Sequence, residues 1–166
     1  MKIHDDHMYH GAALIQIAEH PEFTAINSLK VKGQILHNSY KINDAIGVHF
    51  KYAWTPKKPF GEYLFNFPQD EIDELSSICE VVDSLFLGLV CVKDREICCI
   101  SYKQLESLVN ARKAAKAVSE HQYSILVTAP KNKSLRAYIN APGVKKTMLG
   151  SALVISRSSF PDVLFG

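Results

Sequence analysis

The sequence lacks any apolar run of the roughly 18 residues that a membrane-spanning helix needs. Its 8 glycines are dispersed, so it has neither a P-loop nor the glycine fingerprint of a dinucleotide-binding fold. The GxSxG pattern of serine hydrolases is absent. A formal net charge of +2 is also too small to predict a polyanionic partner by itself. A helical membrane span, P-loop or Rossmann chemistry and α/β-hydrolase chemistry are therefore excluded.

Disulfide and zinc patterns are missing as well. The 4 cysteines, Cys79, Cys91, Cys98 and Cys99, show no CxxC spacing and lie among apolar residues. They predict buried, reduced thiols. The polar start of the chain also lacks the apolar segment of a signal peptide. We therefore expect a cytoplasmic protein without membrane contact.

The length and composition are typical of one globular domain. The chain has 166 residues, of which 47% are hydrophobic and 22% charged. No repeat or low-complexity segment divides it. We expect a single domain over 1–166, with a core at about 9–118 and a C-terminal hairpin and tail at about 122–166.

Periodicity predicts the order of the helices and strands. The expected helices cover 9–20, 69–82 and a stretch beginning with the capping box Ser101–Gln104. The expected strands cover 39–54 with a corner at Asn43–Asp44, then 62–67, 84–92, 96–100, 123–128 and 135–139, while 23–38 is ambiguous. The continuous apolar run at 84–92 predicts a central strand covered on both faces. We expect the strand at 48–52 to form a hairpin with 62–67, and the helix at 69–82 to cross over from 62–67 to a neighbouring strand at 84–92. The pattern predicts an α/β (α+β) fold, with a central mixed sheet flanked by helices.

The stretch 39–54 is where an acid, a base and a cation come together. Strict alternation places His49 and Lys51 on one face of a strand and Val48 and Phe50 on the other. Because Asp44 occupies the preceding corner, we expect it to lie near His49 and Lys51 at the edge of the sheet. This group is the predicted catalytic site.

The order helix, three strands, helix and apolar strand over about 9–92 resembles the restriction-endonuclease-like PD-(D/E)XK nucleases. The resemblance implies a magnesium cofactor held by Glu19, Asp44 and Glu62, a water positioned by Lys51, and DNA or RNA as substrate. The position two before Lys51 carries His49, where that family has an acid. The motif is therefore degenerate, which fits a nuclease with a migrated site, an inactive relative or a coincidence of topology.

Cations and aromatic residues predict a nucleic-acid surface if they converge in space. Lysines neutralise phosphates and aromatic rings stack on bases. The loop from Trp54 carries two lysines, and a helix and a hairpin add further cations, with Lys145 and Lys146 beyond them. The candidate nucleic-acid-binding residues are Trp54, Lys57, Lys58, Arg112, Lys131, Lys133 and Arg136.

Three functions remain open at the level of sequence. The first is a metal-dependent nuclease. The second is a non-catalytic binding module that recognises nucleic acid or a protein through the basic and aromatic surface. The third is a homodimer assembled through an edge strand or the apolar tail at 160–165. His4, His7 and His10 are also of metal-ligating type, although a loosely ordered terminus explains them more simply.

Overall fold

The computed structural model describes residues 1–143 and 147–166, so Lys145 and Lys146 lie outside the described residues. The helices are α1 (Asp5–Ala18), α2 (Gln69–Ile78), α3 (Tyr102–Lys116) and a 3-10 helix (Asp162–Phe165). The strands are β1 (Ile26–Val31), β2 (Gln34–Ile42), β3 (Ile46–Ala53), β4 (Glu62–Pro68), β5 (Ser84–Cys91), β6 (Glu96–Ser101), β7 (Gln122–Thr128), β8 (Leu135–Tyr138) and β9 (Leu153–Ile155). Within the described chain, no helix is both long and apolar enough to cross a membrane.

Two sheets organise the strands. Sheet A has the order β1-β2-β3-β5-β6 and is mixed, because β3 and β5 run parallel while their other neighbours are antiparallel. Sheet B has the order β4-β7-β8-β9 and is antiparallel throughout. The predicted class, an α+β fold with a mixed sheet flanked by helices, is confirmed.

The predicted pairing of β3 with β4 is wrong. After β3 the loop at 54–61 carries the chain away from sheet A, and β4 pairs with β7 in sheet B. The helix α2 still serves as a crossover to a parallel strand, but the strands it joins within one sheet are β3 and β5. The C-terminal hairpin β7–β8 is confirmed, and it completes a sheet that β4 begins.

The two faces of sheet A are covered by different partners. On one face α1 and the 3-10 helix pack over β3, where Ala13 and Ile17 meet Val48 and Phe50. On the other face α2, α3 and the inner side of sheet B form the larger core. The strand β5 lies between them and is buried on both sides, as its continuous apolar run predicted.

Side-chain caps set the starts of α1 and α3. The backbone N–H of His4 donates to His7 Nδ1 at 3.1 Å, and α1 begins at Asp5 rather than at the expected residue 9. The predicted capping box of α3 is confirmed, because Ser101 Oγ accepts from the Gln104 N–H at 3.1 Å and Gln104 Oε1 accepts from the Ser101 N–H at 2.9 Å. The N-terminal histidine pair therefore belongs to a helix cap.

Candidate functional site

The antiparallel register of β2 and β3 builds the polar centre of the molecule. Ile42 pairs with Ile46 around the turn, which places Ser39 directly opposite His49. The predicted alternation is confirmed: Val48 and Phe50 face α1, whereas His49 and Lys51 face α2. The predicted position of this site at a sheet edge is wrong, because β3 lies in the middle of sheet A.

Four side chains form a continuous chain of polar contacts on that face. Ser39 Oγ lies 2.6 Å from His49 Nδ1, and His49 Nε2 lies 3.5 Å from Glu71 Oε1. Lys51 Nζ donates to Glu71 Oε2 at 2.7 Å and to Oε1 at 3.0 Å. We call Ser39, His49, Lys51 and Glu71 the polar network. It joins β2, β3 and the first turn of α2.

The charges of the polar network balance one another. Burial by itself would raise the pKa of Glu71, but hydrogen bonds and charge from His49 and Lys51 outweigh it, so the pKa is lowered. The Lys51 ammonium also lies 4.8 Å from the centre of the Phe67 ring in β4. Glu71 is therefore held ionised between two basic side chains.

The order serine, histidine, acid resembles a charge-relay system, but its serine and histidine are closed to solvent. Ser39 is 1% exposed and His49 is 2% exposed, so no substrate carbonyl reaches the serine hydroxyl. The contacts instead fix the first turn of α2 against sheet A. We assign the polar network a structural role.

A second buried histidine lies on the opposite face of sheet A. His10 is 4% exposed and stacks on Phe50, with 5.7 Å between the ring centres. Burial lowers its pKa to about 4, against the opposing influence of Asp6 and Asn38. His10 is therefore a neutral core residue at physiological pH.

The predicted metal ligands do not assemble a site. Asp44 lies exposed in the β2–β3 turn, whereas Lys51 is five residues along β3 from Ile46, roughly 16 Å at about 3.3 Å per residue. Glu19 is exposed at the C-cap of α1, and Glu62 begins β4 in the other sheet. The expected proximity of Asp44 to Lys51 is thus wrong, because a turn residue lies at the end of the strand.

The donor groups present do not fit magnesium. The carboxylate of Glu62 accepts a hydrogen bond from the Tyr138 hydroxyl, and that of Glu71 is taken by Lys51. Among residues 1–143 and 147–166, no three histidine, cysteine, aspartate or glutamate side chains lie close enough to hold a metal ion. Magnesium prefers several oxygen ligands, and the polar network offers one carboxylate already paired with a cation.

Sequence reasoning missed two members of the polar network. The acid Glu71 has no local signal, because nothing in the neighbouring sequence shows which strand a helix turn will face. A signal for Ser39 did exist in the sequence. A corner at Asn43–Asp44 sets the register of β2 and β3, and counting outward from it places Ser39 opposite His49.

Three turns rich in cations converge at one end of the molecule. A cavity of about 290 Å³ is lined together by Pro56 and Phe60, by Lys93, and by Thr128 and Pro130. We call the turns 54–61, 93–95 and 129–134 the basic end. The predicted residues Trp54, Lys57, Lys58, Lys131 and Lys133 all belong to it.

Arg157 connects two turns of the basic end through hydrogen bonds. Its guanidinium donates to the carbonyls of Lys133 and Pro130 and to the carboxylate of Glu96, each at 2.7 Å. These three bonds tie the β7–β8 turn to the β5–β6 hairpin. The orientation of two of the three turns is therefore fixed by one side chain.

The cations of the basic end are exposed, whereas its acids are engaged. Tyr63 donates to Asp94, Tyr138 donates to Glu62, and Arg157 pairs with Glu96. Six cations lie exposed without an ion pair in the described chain: Lys57, Lys58, Lys93, Arg95, Lys131 and Lys133. The three turns carry six cations and one acid, Asp94, so their net charge is +5, compared with +2 for the whole sequence.

Two other predicted cations lie elsewhere. Arg112 pairs with Glu120 at 2.7 Å and donates to the Asn140 carbonyl, near the opposite end of sheet B from Thr128. Arg136 lies on β8 beside Thr128 and is half-buried, with Nη1 unpartnered in the described structure. The structure therefore separates Arg112 from the basic end and places Arg136 at its margin.

Aromatic rings border the basic end. Trp54 is 51% exposed and meets Tyr9 edge-on, with 5.1 Å between ring centres. Tyr52 lies 5.2 Å from the same Tyr9 ring. Burial and the nearby Asp5 and Asp6 raise the pKa of Tyr52, so these acids mark the negative boundary of the surface.

Comparison with known proteins adds no assignment to this geometry. No protein-family model, curated protein or solved structure matches the chain.

Proposed function

We propose that this protein is a non-catalytic binding module that recognises nucleic acid through the basic end. The carrying observation is that three turns, which bear six exposed cations without an ion pair in the described chain, meet at one cavity that Lys93 lines. Lysine and arginine bind phosphates irrespective of sequence, and the exposed Trp54 offers a ring on which a base can stack. We expect affinity without marked sequence preference.

The absence of catalysis is inferred from the polar network. Its only carboxylate is paired with Lys51, and Ser39 and His49 are closed to substrate. α1 precedes the meander β1–β2–β3 of sheet A and α2 leads to β5, with β4 of sheet B inserted between β3 and α2. We propose that such a scaffold here serves binding alone. The four unbridged thiols favour a cytoplasmic location.

Fluorescence titration tests the proposal directly. Trp54 is the only tryptophan in the sequence, so its emission reports occupancy of the basic end. We expect single-stranded DNA and RNA 12-mers to change this emission, with a dissociation constant that rises steeply with salt. For single strands the slope of log K against log salt is about −0.7 per neutralised phosphate.

Charge-matched variants locate the surface. Lys57→Ala/Lys58→Ala and Lys131→Ala/Lys133→Ala should each weaken binding and flatten the salt slope by roughly one unit. The control Lys41→Ala/Lys103→Ala removes the same charge at the far end of sheet A, where β5 begins and β6 ends. Equal weakening by the control pair, or no binding at low salt, would overturn the proposal. Salt-insensitive binding to a protein would also contradict it.

Nuclease activity is measured in the same samples. We expect the 12-mers to stay intact with Mg²⁺ or Mn²⁺ over hours. Cleavage that disappears in Glu71→Gln or Lys51→Met but persists in Lys116→Met would contradict the proposed absence of catalysis and place chemistry at the polar network.

A further inference from the structure

A groove between α1 and the β5–β6 hairpin adjoins the basic end. It has a volume of about 590 Å³. The α1 wall consists of Met8, Tyr9, Ala12 and Gln16, and the opposite wall and floor consist of Val90, Val92, Lys93, Arg95, Glu96 and Ile97. Pockets of about 300–1,000 Å³ typically hold small organic ligands. We call this space the α1 groove.

The floor of the α1 groove is an apolar part of sheet A beside α1. Phe50 pairs with Gly88 in the parallel register, and continuing along β5 puts Val90 and Val92 on the same face. Ile97 lies beside Val90 on β6. Further along this face, Phe160 and Leu164 cover Cys99. In this apolar floor Val90 is buried while Val92 and Ile97 are partly exposed, and the floor adjoins the basic end at Lys93.

The cations at the rim of the α1 groove and its connection to the basic end indicate which ligand the groove binds. Lys93 lines both the α1 groove and the cavity beneath the basic turns, so the two spaces share a wall. Lys93 and Arg95 are exposed at the rim, whereas Glu96 forms an ion pair with Arg157. Tyr9 forms part of the α1 wall and contacts Trp54, which links the groove to the aromatic border. An apolar cleft with the ring of Tyr9 in one wall and cations at its rim fits a flat base attached to a phosphate backbone.

Resting on the proposed nucleic-acid binding, we propose that the α1 groove receives an unstacked nucleobase, so that the protein selects single-stranded over duplex nucleic acid. The phosphates flanking that base lie against Lys93 and Arg95. The amide of Gln16 supplies a donor and an acceptor for the edge of the base. A base held in a duplex is stacked and paired, and cannot enter.

Filling the groove tests this assignment without changing charge. Ala12 is exposed on α1 and lines the groove, so Ala12→Phe occupies the space of the base and leaves the fold intact. Ile15 is 60% exposed on α1 and does not line the groove, which makes Ile15→Phe the matched control. Competition against a labelled 12-mer is measured with a single strand, a duplex of the same sequence and a strand lacking its bases.

We expect wild type to prefer the single strand by about tenfold, in keeping with the energy of one base–aromatic stack. Ala12→Phe should weaken single-strand binding toward the affinity of wild type for the strand without bases, since stacking on Trp54 remains; its salt slope should be unchanged, and Ile15→Phe should behave as wild type. If single strand, duplex and base-free strand compete equally and Ala12→Phe has no effect, the groove assignment is overturned and the proposed binding function stands. If none of the three competes, the proposed function itself fails.

Discussion

Lys51 Nζ lies 2.7 Å from Glu71 Oε2, and this contact joins the central strand of sheet A to the first turn of α2. Both side chains are about four-fifths buried, so neither ion is fully screened by water. Removal of the lysine would leave a carboxylate facing only His49. The ion pair is thus expected to matter for folding more than a surface pair does.

The first prediction concerns that ion pair. Lys51→Met should lower the free energy of unfolding by about 2 kcal/mol, because Glu71 loses its cation in a desolvated place. Lys116→Met is the control, since Lys116 is more exposed and lies 3.7 Å from Glu120; it should cost less than about 0.5 kcal/mol. Urea denaturation measures both.

The double variant separates charge from packing. Lys51→Met/Glu71→Leu replaces both ions by apolar groups, and we expect it to recover most of the stability that Lys51→Met loses. Equal costs for Lys51→Met and Lys116→Met would show that the buried contact contributes no more than a surface one.

Local signals in the sequence predicted the local structure. The box Ser101–Gln104 identified the start of α3, and the apolar run of β5 identified a strand covered on both faces. The partner of β4 was not predictable, because alternation in β4 shows which residues turn inward and does not distinguish sheet A from sheet B. Its actual partner, β7, begins at Gln122, more than fifty positions further along the chain.

The same limit applies to the candidate site. Alternation along β3 placed His49 and Lys51 on one face, which is a property of neighbouring residues. Glu71 joins them only through the packing of α2, a long-range contact. The position of Asp44 was predicted wrongly because residues a few positions apart on an extended strand lie far apart in space. The turns of the basic end do converge, although they connect separate strands.

The second prediction concerns the close packing of β3 on β5. A Cβ added at Gly88 would lie 2.6 Å from Phe50 Cδ1, so Gly88→Ala forces the buried ring to move. We expect a loss of about 1–3 kcal/mol by overpacking. In a Phe50→Leu background, Gly88→Ala should lower the free energy of unfolding by less than it does in the wild type.

Gly11 provides the opposite case within α1. Nothing lies within 4 Å of a Cβ built there, so Gly11→Ala should stabilise the protein by about 0.5–1 kcal/mol through helix propensity. Thermal denaturation measures both changes, a loss of stability for Gly88→Ala and a gain for Gly11→Ala. A Gly88→Ala protein as stable as wild type would show that Phe50 has room to shift.

The third prediction concerns pH and His10. Its pKa is about 4 in the folded protein and 6.5 in the unfolded chain, so the unfolded state takes up the proton first as pH falls. The contribution of His10 to the free energy of unfolding is therefore fully present above pH 6.5 and is lost as pH falls from 6.5 to about 4. His10→Leu should reduce the loss of stability between pH 7.5 and 4.5 by about 2 kcal/mol.

His37 supplies the comparison for that measurement. It is exposed on β2, so His37→Leu removes a histidine without altering the core. Urea titrations at pH 7.5, 6.5, 5.5 and 4.5 follow all three proteins. A His10→Leu protein with the full wild-type slope would mean that His10 takes up its proton in the folded state as readily as in the unfolded chain.

The last prediction distinguishes orientation from charge at the basic end. Arg157→Lys keeps the positive charge but cannot reproduce three 2.7 Å bonds to Lys133, Pro130 and Glu96, because an ammonium lacks the planar fork of donors. We expect the β7–β8 turn to loosen and nucleic-acid affinity to fall several-fold. Hydrogen exchange of the Lys133 amide reports the turn, and fluorescence titration reports the affinity.

Arg112→Lys is the charge-matched control, since Arg112 also makes fixed guanidinium contacts, to Glu120 and to the Asn140 carbonyl, but lies away from the basic end. It should bind nucleic acid as wild type does. If Arg157→Lys also binds normally while exchange at the β7–β8 turn accelerates, charge alone determines affinity and the arrangement of the turns is irrelevant. If binding weakens together with faster exchange, the brace at Arg157 determines how the lysines of the turn meet the phosphate backbone.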